Sequence, residues 1–273
     1  MGEDDAPAAL ALARRVAACL AADPAVEAVA LAGSRAGPLA EAGSDVDLYV
    51  YAARQPPEAL RTAAAAGARR LELGNRFFEP GDEWTDGETG LGVDVMYRTP
   101  AWMESQLDRV LVRHEPSVGY STALWHSVRV AVPLFDRSGW LAALQARARA
   151  PYPEPLRRAV VAHNQPLLRS TQSSFLAQLR SAVARGDAVA VNHRTAAMLA
   201  STFDLLFALN RATHPGEKRL LAHAASSCPL RPEGLEGLVA ALLRAVPGPG
   251  AVEAADALGE SIDRLLAAEG LLP

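Results

Sequence analysis

Residues 26–51 read VEAVALAGSRAGPLAEAGSDVDLYVY, and this stretch decides the fold. Val26 to Ala32 is a short apolar run, the mark of a buried strand, and Gly33-Ser34 stops it. A stretch rich in Gly, Ala and Pro follows. From Asp45 to Tyr51 polar and apolar residues alternate, which predicts a second strand with two unlike faces. Residues i and i+2 of a strand share a face, so Asp45 and Asp47 are expected to project together, about 6.5–7 Å apart along the backbone. Like charges held that way repel unless a cation sits between them. A few hard oxygens that leave room for water and phosphate suit Mg²⁺. Gly33-Ser34 offers unobstructed backbone N–H groups and a hydroxyl, and a helix starting there would add its positive end to a phosphate cradle.

Outward from this stretch the pattern continues. Residues 7–22 have helical periodicity, and Asp23-Pro24 ends them. A helix is expected at Glu58–Ala66, a strand at Arg69–Phe78, an acidic loop at Glu79–Gly90 and a strand at Leu91–Arg98. In that last strand Asp94 sits between Val93 and Val95, where burial without a partner is costly. Val130 to Phe135 reads as one further edge strand. Long Ala- and Leu-rich helices dominate the rest: 101–113, 118–129, 138–149, 155–185 with a kink at Pro166, 188–210, 217–226, 232–245 and 251–268. The expected fold class is therefore α+β. An N-terminal α/β domain, residues 1–137, holds a mixed sheet flanked by helices, and an all-α bundle follows over residues 138–273.

Composition sets the outer bounds. Half of the 273 residues are hydrophobic and 21% are charged, enough apolar surface for a sizeable core, so disorder throughout is excluded. A net charge of -4 argues against coating nucleic acid, which is not an expected partner. No apolar run reaches the roughly 18–20 residues of a membrane span. The opening Met1-Gly2-Glu3-Asp4-Asp5 is acidic where a signal peptide is basic, and Cys19 and Cys228 have no metal or redox spacing. A cytoplasmic location is expected. Lys218 is the single lysine among 27 lysine and arginine residues, which reflects either a need for its ammonium group or coding bias with one lysine left over.

With 14 aspartates in the chain, roughly 0.7 Asp-x-Asp pairs arise by chance, so the pair alone means nothing. The order carries the signal: apolar strand, Gly-Ser, short connection, Asp-x-Asp, then Asp94 on a later strand. In this order LAGSRAGPLAEAGSDVDLYVY and VDVMYR resemble the nucleotidyltransferase superfamily with the DNA polymerase β fold, whose members include the aminoglycoside and lincosamide nucleotidyltransferases. The resemblance covers about residues 26–98. Leu206 to Arg211 and His214 to Lys218 are similar to a segment of bacterial nucleotidyltransferases that carry a helical C-terminal domain. The resemblance implies transfer of a nucleoside monophosphate, AMP from ATP first, to a hydroxyl of a small molecule such as an antibiotic or natural product, with pyrophosphate released. It implies that Asp45 and Asp47 bind Mg²⁺, with two ions expected in all, and that catalytic Asp94 shares the second ion, acts as general base on the acceptor hydroxyl, or does both. Gly33 and Ser34 would hold the nucleotide phosphates, and Lys218 would clamp the triphosphate from the helical half. Nucleotidylation of a protein or a tRNA end, and a catalytically silent nucleotide sensor, stand as rival readings.

Other residues are weighed against plainer roles. Arg35 is either a phosphate contact or a surface arginine of the following helix. Glu79, Asp82, Glu83, Asp86 and Glu88 form either the rim for a cationic acceptor or a solvated loop. His163 and His193 are expected to be structural, and Asn210 either a helix cap or a ligand contact. Trp102, Trp125 and Trp140 are expected in the core. No histidine lies at zinc spacing, and neither a P-loop nor a Gly-x-Ser-x-Gly elbow is present.

Overall fold

The computed structural model describes residues 5–37, 43–76 and 79–272. Residues 2–4, the spacer residues 38–42 and Phe78, at the end of an expected strand, fall outside them. The chain forms two compact units. One comprises residues 1–107 and 127–150, the other 108–126 and 151–273. The expected single break at 137/138 is thus replaced by an interleaved division, because the helix after residue 138 packs on the sheet of the first unit.

The first unit runs α1 (Ala6–Leu20), β1 (Val26–Leu31), a single helical turn α2 (Gly33–Ala36), β2 (Val46–Ala52), α3 (Glu58–Ala64), β3 (Arg69–Asn75), β4 (Gly81–Thr85) and β5 (Gly92–Arg98). The helices α4 (Pro100–Leu111) and α5 (Ala123–Val130) carry the chain from one unit to the other and back, before β6 (Val132–Asp136) and α6 (Trp140–Ala148) complete the first. The sheet order is β3-β4-β5-β2-β1-β6. Among the described strands β2 and β5 run parallel, and the other pairs are antiparallel. The sheet is mixed, as expected, and β6 is the edge strand read from residues 130–135.

Alternation along β2 sorts its side chains. Val46, Leu48 and Val50 join Val93, Val95 and Tyr97 of β5 in an apolar core with Leu12, Val16 and Leu20 of α1 and Ala64 at the end of α3. Asp47, Tyr49 and Tyr51 take the other face. There Tyr51 meets Trp140 of α6, ring centroids 5.0 Å apart, and the Arg98 guanidinium lies 3.9 Å from the centre of the Tyr49 ring. One end of this second face is therefore covered. The end carrying Asp45 and Asp47 is more open: Asp45 is exposed and Asp47 half-buried.

The second unit contains α7 (Glu154–Gln165), a π-helical turn (Pro166–Ser170), α8 (Phe175–Ala184), α9 (Ala188–Leu209), α10 (Leu220–Ser227), α11 (Leu235–Ala245) and α12 (Ala251–Ala268) around one apolar core. The single kinked helix expected over 155–185 is two helices. Pro166 lacks the N–H that would continue α7, and Ser174 caps α8 by accepting the Ala177 N–H. The core also holds a polar knot. Asp204 accepts hydrogen bonds from the Ser121 N–H at 2.9 Å and the Ser121 hydroxyl at 2.6 Å. Asn164 accepts from the Gly119 N–H and the Ser201 hydroxyl and donates to the Ser117 carbonyl.

Burial pushes the Asp204 carboxyl up to about 7, against the pull of Ser121 and of the Arg109 charge. Its folded pKa lies above its unfolded one, so its contribution favours the fold below pH 4 and is lost as pH rises towards 7. The melting temperature of the wild type should accordingly fall over that window relative to Asp204→Asn, whose amide does not ionise. In the first unit, Asp82 of β4 is 1% exposed and accepts from Arg61, the Tyr97 hydroxyl and the Gly74 N–H. Asp82→Ala strands a buried guanidinium and should cost about 3–5 kcal/mol in denaturant unfolding.

Candidate functional site

The parallel register of β2 and β5 places Asp47 directly beside Asp94, and the antiparallel register of β5 and β4 places Asp94 beside Glu83. Glu83 in turn pairs with Glu72 of β3. Directly paired residues share a face, so four acidic residues lie in one row across four adjacent strands, the strands being about 5 Å apart. Like charges opposite one another destabilise a sheet. The consequence appears at Asp94: burial, then the charges of Asp47, Glu83, Asp45 and Glu79, push its carboxyl up to about 6.

Two glycines make room for the aspartates. A Cβ on Gly33 would lie 1.8 Å from Oδ2 of Asp47, and one on Gly92 would lie 2.1 Å from Oδ1 of Asp45. Gly33 also has φ +59°, a conformation open mainly to glycine. Gly33 follows β1 on one side of β2, and Gly92 opens β5 on the other. Asp47 therefore lies against Gly33, and Asp45 against Gly92. Among the described residues no three His, Cys, Asp or Glu side chains stand close enough together to hold a metal ion. Asp47 and Asp94, paired on adjacent strands, carry hard carboxylate oxygens of the kind that Mg²⁺ takes.

Ser34 lies half-buried on α2, its carbonyl accepting the Gly37 N–H. The expected helix-dipole contribution is corrected here. A four-residue turn sums too few peptide dipoles, so only its N–H groups and hydroxyl remain. Lys218 is exposed and belongs to the second unit, in the turn before α10. The residues that the first unit gathers are Gly33, Asp45, Asp47 and Asp94, with Ser34 beside them.

The acidic run is resolved residue by residue. Asp82 and Glu83 sit on strand β4, not in a loop, and alternate to opposite faces. Glu79 pairs with Arg98 at 2.6 and 2.7 Å, Asp82 is buried with Arg61, and Asp86 binds Arg15 and Thr89. Glu83 and Glu88 are exposed, and Glu83 alone of the run joins the row. Sequence reading missed β4 because Gly81-Asp-Glu-Trp-Thr85 is short and charged; the signal it held was the Asp82/Trp84 alternation against Glu83. A cavity of about 380 Å³ lies over these strands, bordered by Asp45, Arg70, Glu72, Glu83 and Asp94.

The remaining candidates resolve simply. Asn210 is structural: its amide donates to the Leu206 and Leu230 carbonyls and its oxygen accepts the Leu230 N–H. His163 and His193 are exposed, and Trp125 is core at 1% exposure, whereas Trp102 is 39% exposed, outside the core expected for it.

A family described as a domain of unknown function (DUF4037) matches residues 121–220. A solved structure of a nucleotidyltransferase-like protein from Exiguobacterium sibiricum 255-15 is similar over 95% of this chain and 74% of that one, at 16% identity and a TM-score of 0.44. The comparison with curated proteins finds no match.

The two glycines predict different outcomes. Gly92→Ala meets only the far end of the exposed Asp45 side chain, so stability should change little while the carboxylate is displaced. Gly33→Ala adds backbone strain to the clash with Asp47 and should cost at least about 1 kcal/mol. Urea denaturation of both variants checks the contrast.

Proposed function

We propose that this protein is a magnesium-dependent nucleotidyltransferase that moves a nucleoside monophosphate, AMP from ATP in the first instance, to a hydroxyl of a small molecule. The observation that supports this best is the pairing of Asp47 with Asp94 on parallel strands, with Gly33 packed against Asp47. Two carboxylates set side by side on the open half of a face have little use in folding, and their repulsion makes them a site for a cation.

Asp45, Asp47 and Asp94 are the residues that would hold magnesium, as two ions, which when bound offsets the charge of the triphosphate and of departing pyrophosphate. Gly33 and Ser34 present N–H groups and a hydroxyl beside Asp47, where the phosphates of the nucleotide would lie. The acceptor hydroxyl oxygen forms the new bond to the α-phosphorus as the bond to the β-phosphate bridging oxygen breaks. Asp94, next to Asp47 and facing the cavity, is positioned to take the hydroxyl proton. Catalysis then rests on placement and electrostatics.

Glu83 and Glu72 extend the row beyond Asp94, on the side away from Gly33. With the nucleotide phosphates at Gly33, that side is where the acceptor would enter, and carboxylates there favour one carrying amines, as many antibiotics and natural products do.

Titration calorimetry with a non-hydrolysable ATP analogue tests the reading. Binding should require Mg²⁺, vanish with EDTA and be lost in Asp45→Ala/Asp47→Ala. Asp94→Asn should retain nucleotide and abolish turnover, by about 10²–10⁴-fold if its part is that of base. A folded wild type that binds none of the four nucleotides would overturn the assignment. Nucleotide binding with Asp94→Asn indistinguishable from wild type in turnover would remove Asp94 from catalysis.

A further inference from the structure

Arg35 follows Ser34 on α2, and its side chain is 6% exposed. Its Nε donates to the Ser44 carbonyl at 2.8 Å and to the Asp45 carbonyl at 3.2 Å. One terminal nitrogen donates to the Ser44 carbonyl at 2.5 Å and to Oδ2 of Asp5 at 2.9 Å, and the other to Oδ1 of Asp5 at 3.1 Å. Oδ2 of Asp5 also accepts the Gly43 N–H at 3.0 Å. One planar guanidinium thus joins three separate pieces of chain: the turn after β1, the residues leading into β2, and the start of α1. Neither role expected for Arg35 matches this, since all its nitrogens are spent on protein oxygens.

The Ala32 N–H also ties the two strands here by donating to the Asp47 carbonyl. No residue of α2 belongs to the apolar core, and Asp45 is exposed. Apolar packing holds β1 and β2 from the opposite face. Two consecutive carbonyls, those of Ser44 and Asp45, are instead oriented by the fork of Arg35, and their orientation sets where the Asp45 side chain leaves the backbone. A lysine ammonium is a single point on a flexible stem and does not span these acceptors in one plane.

We propose that Arg35 is a positioning residue: it locks the Gly33–Ser34 turn to the backbone that presents Asp45, and so holds the cation-binding carboxylates and the phosphate-binding turn in register. The inference rests on the reading of Asp45, Asp47 and Asp94 as a divalent-cation site. It makes a prediction opposite in sign to simple electrostatics. Removing a positive charge beside a cation site should, by charge alone, tighten cation binding; removing a positioning residue should weaken it, by about 10–100-fold.

Direct binding of Mn²⁺ alone, followed by electron paramagnetic resonance, separates the two. Wild type, Arg35→Ala, Arg35→Lys, Asp5→Ala and Asp45→Ala/Asp47→Ala would be titrated, with thermal melting recorded for each. The expected result is tight binding by wild type and none by the double variant. Arg35→Ala should bind about 10–100-fold more weakly at a melting temperature close to wild type. Arg35→Lys should fail to restore affinity although the charge is kept, and Asp5→Ala should show a smaller loss. If Arg35→Ala does not fold, the folded Arg35→Lys and Asp5→Ala proteins decide. Affinity equal to or above wild type in the folded Arg35 and Asp5 variants would overturn this inference alone. Absence of Mn²⁺ binding by the wild type would instead overturn the cation site on which it rests.

Discussion

Asp47 and Asp94 stand side by side on parallel strands because the opposite face of those strands is core. Val46, Leu48 and Val50 on β2 and Val93, Val95 and Tyr97 on β5 are buried against α1 and α3. A slip of one residue would turn that apolar set outward and the acids inward. Apolar packing therefore enforces a register that electrostatics opposes. The energy of the core holds two carboxylates side by side, where burial first and the neighbouring acids second raise the pKa of Asp94. Such a pair is relieved by a proton or by a cation, and a cation is what the proposed chemistry uses.

Around this pair the arginines of the first unit follow a consistent arrangement. Arg61, Arg98, Arg15 and Arg35 each take a carboxylate outside the row, namely Asp82, Glu79, Asp86 and Asp5. These pairs neutralise acids that the fold buries or needs as anchors. Tyr49 and Tyr51, with Arg98 and Trp140, close the far end of the same face. What is left open is the end where Asp45, Asp47, Asp94 and Glu83 lie, next to the turn at Gly33. A face divided in this way combines rigid support with an accessible polar end, as a site that must place charged groups requires.

The central stretch was legible because its signals are local. Alternation in DVDLYVY showed which side of β2 is core, and Gly33-Ser34 marked the end of β1. Asp94 between two valines was readable for the same reason. The strand β4 was not, because it is only five residues long and its Gly and two acids mask the signal of Trp84 and Thr85; it pairs with β5 and β3. The acidic run consequently looked like one feature, although its members go to different partners on opposite faces. Arg35 was ambiguous because its acceptors are backbone carbonyls, which have no sequence signature. The break after Gln165 was half visible in Pro166, while the cap at Ser174 that makes it two helices was overlooked.

The sequence by itself determined the α+β class, the strand that bears Asp47 and follows directly on Asp45, the third acid on a later strand and the helical character of the rest, since each depends on periodicity within one segment. Tertiary structure alone decided the row. That β2 and β5 are parallel neighbours, that Asp47 meets Asp94 and then Glu83, and that residues 127–150 belong to the first unit all depend on pairings between segments distant along the chain. Hydrogen-bond register between strands is a property of two segments together, and neither one encodes it alone.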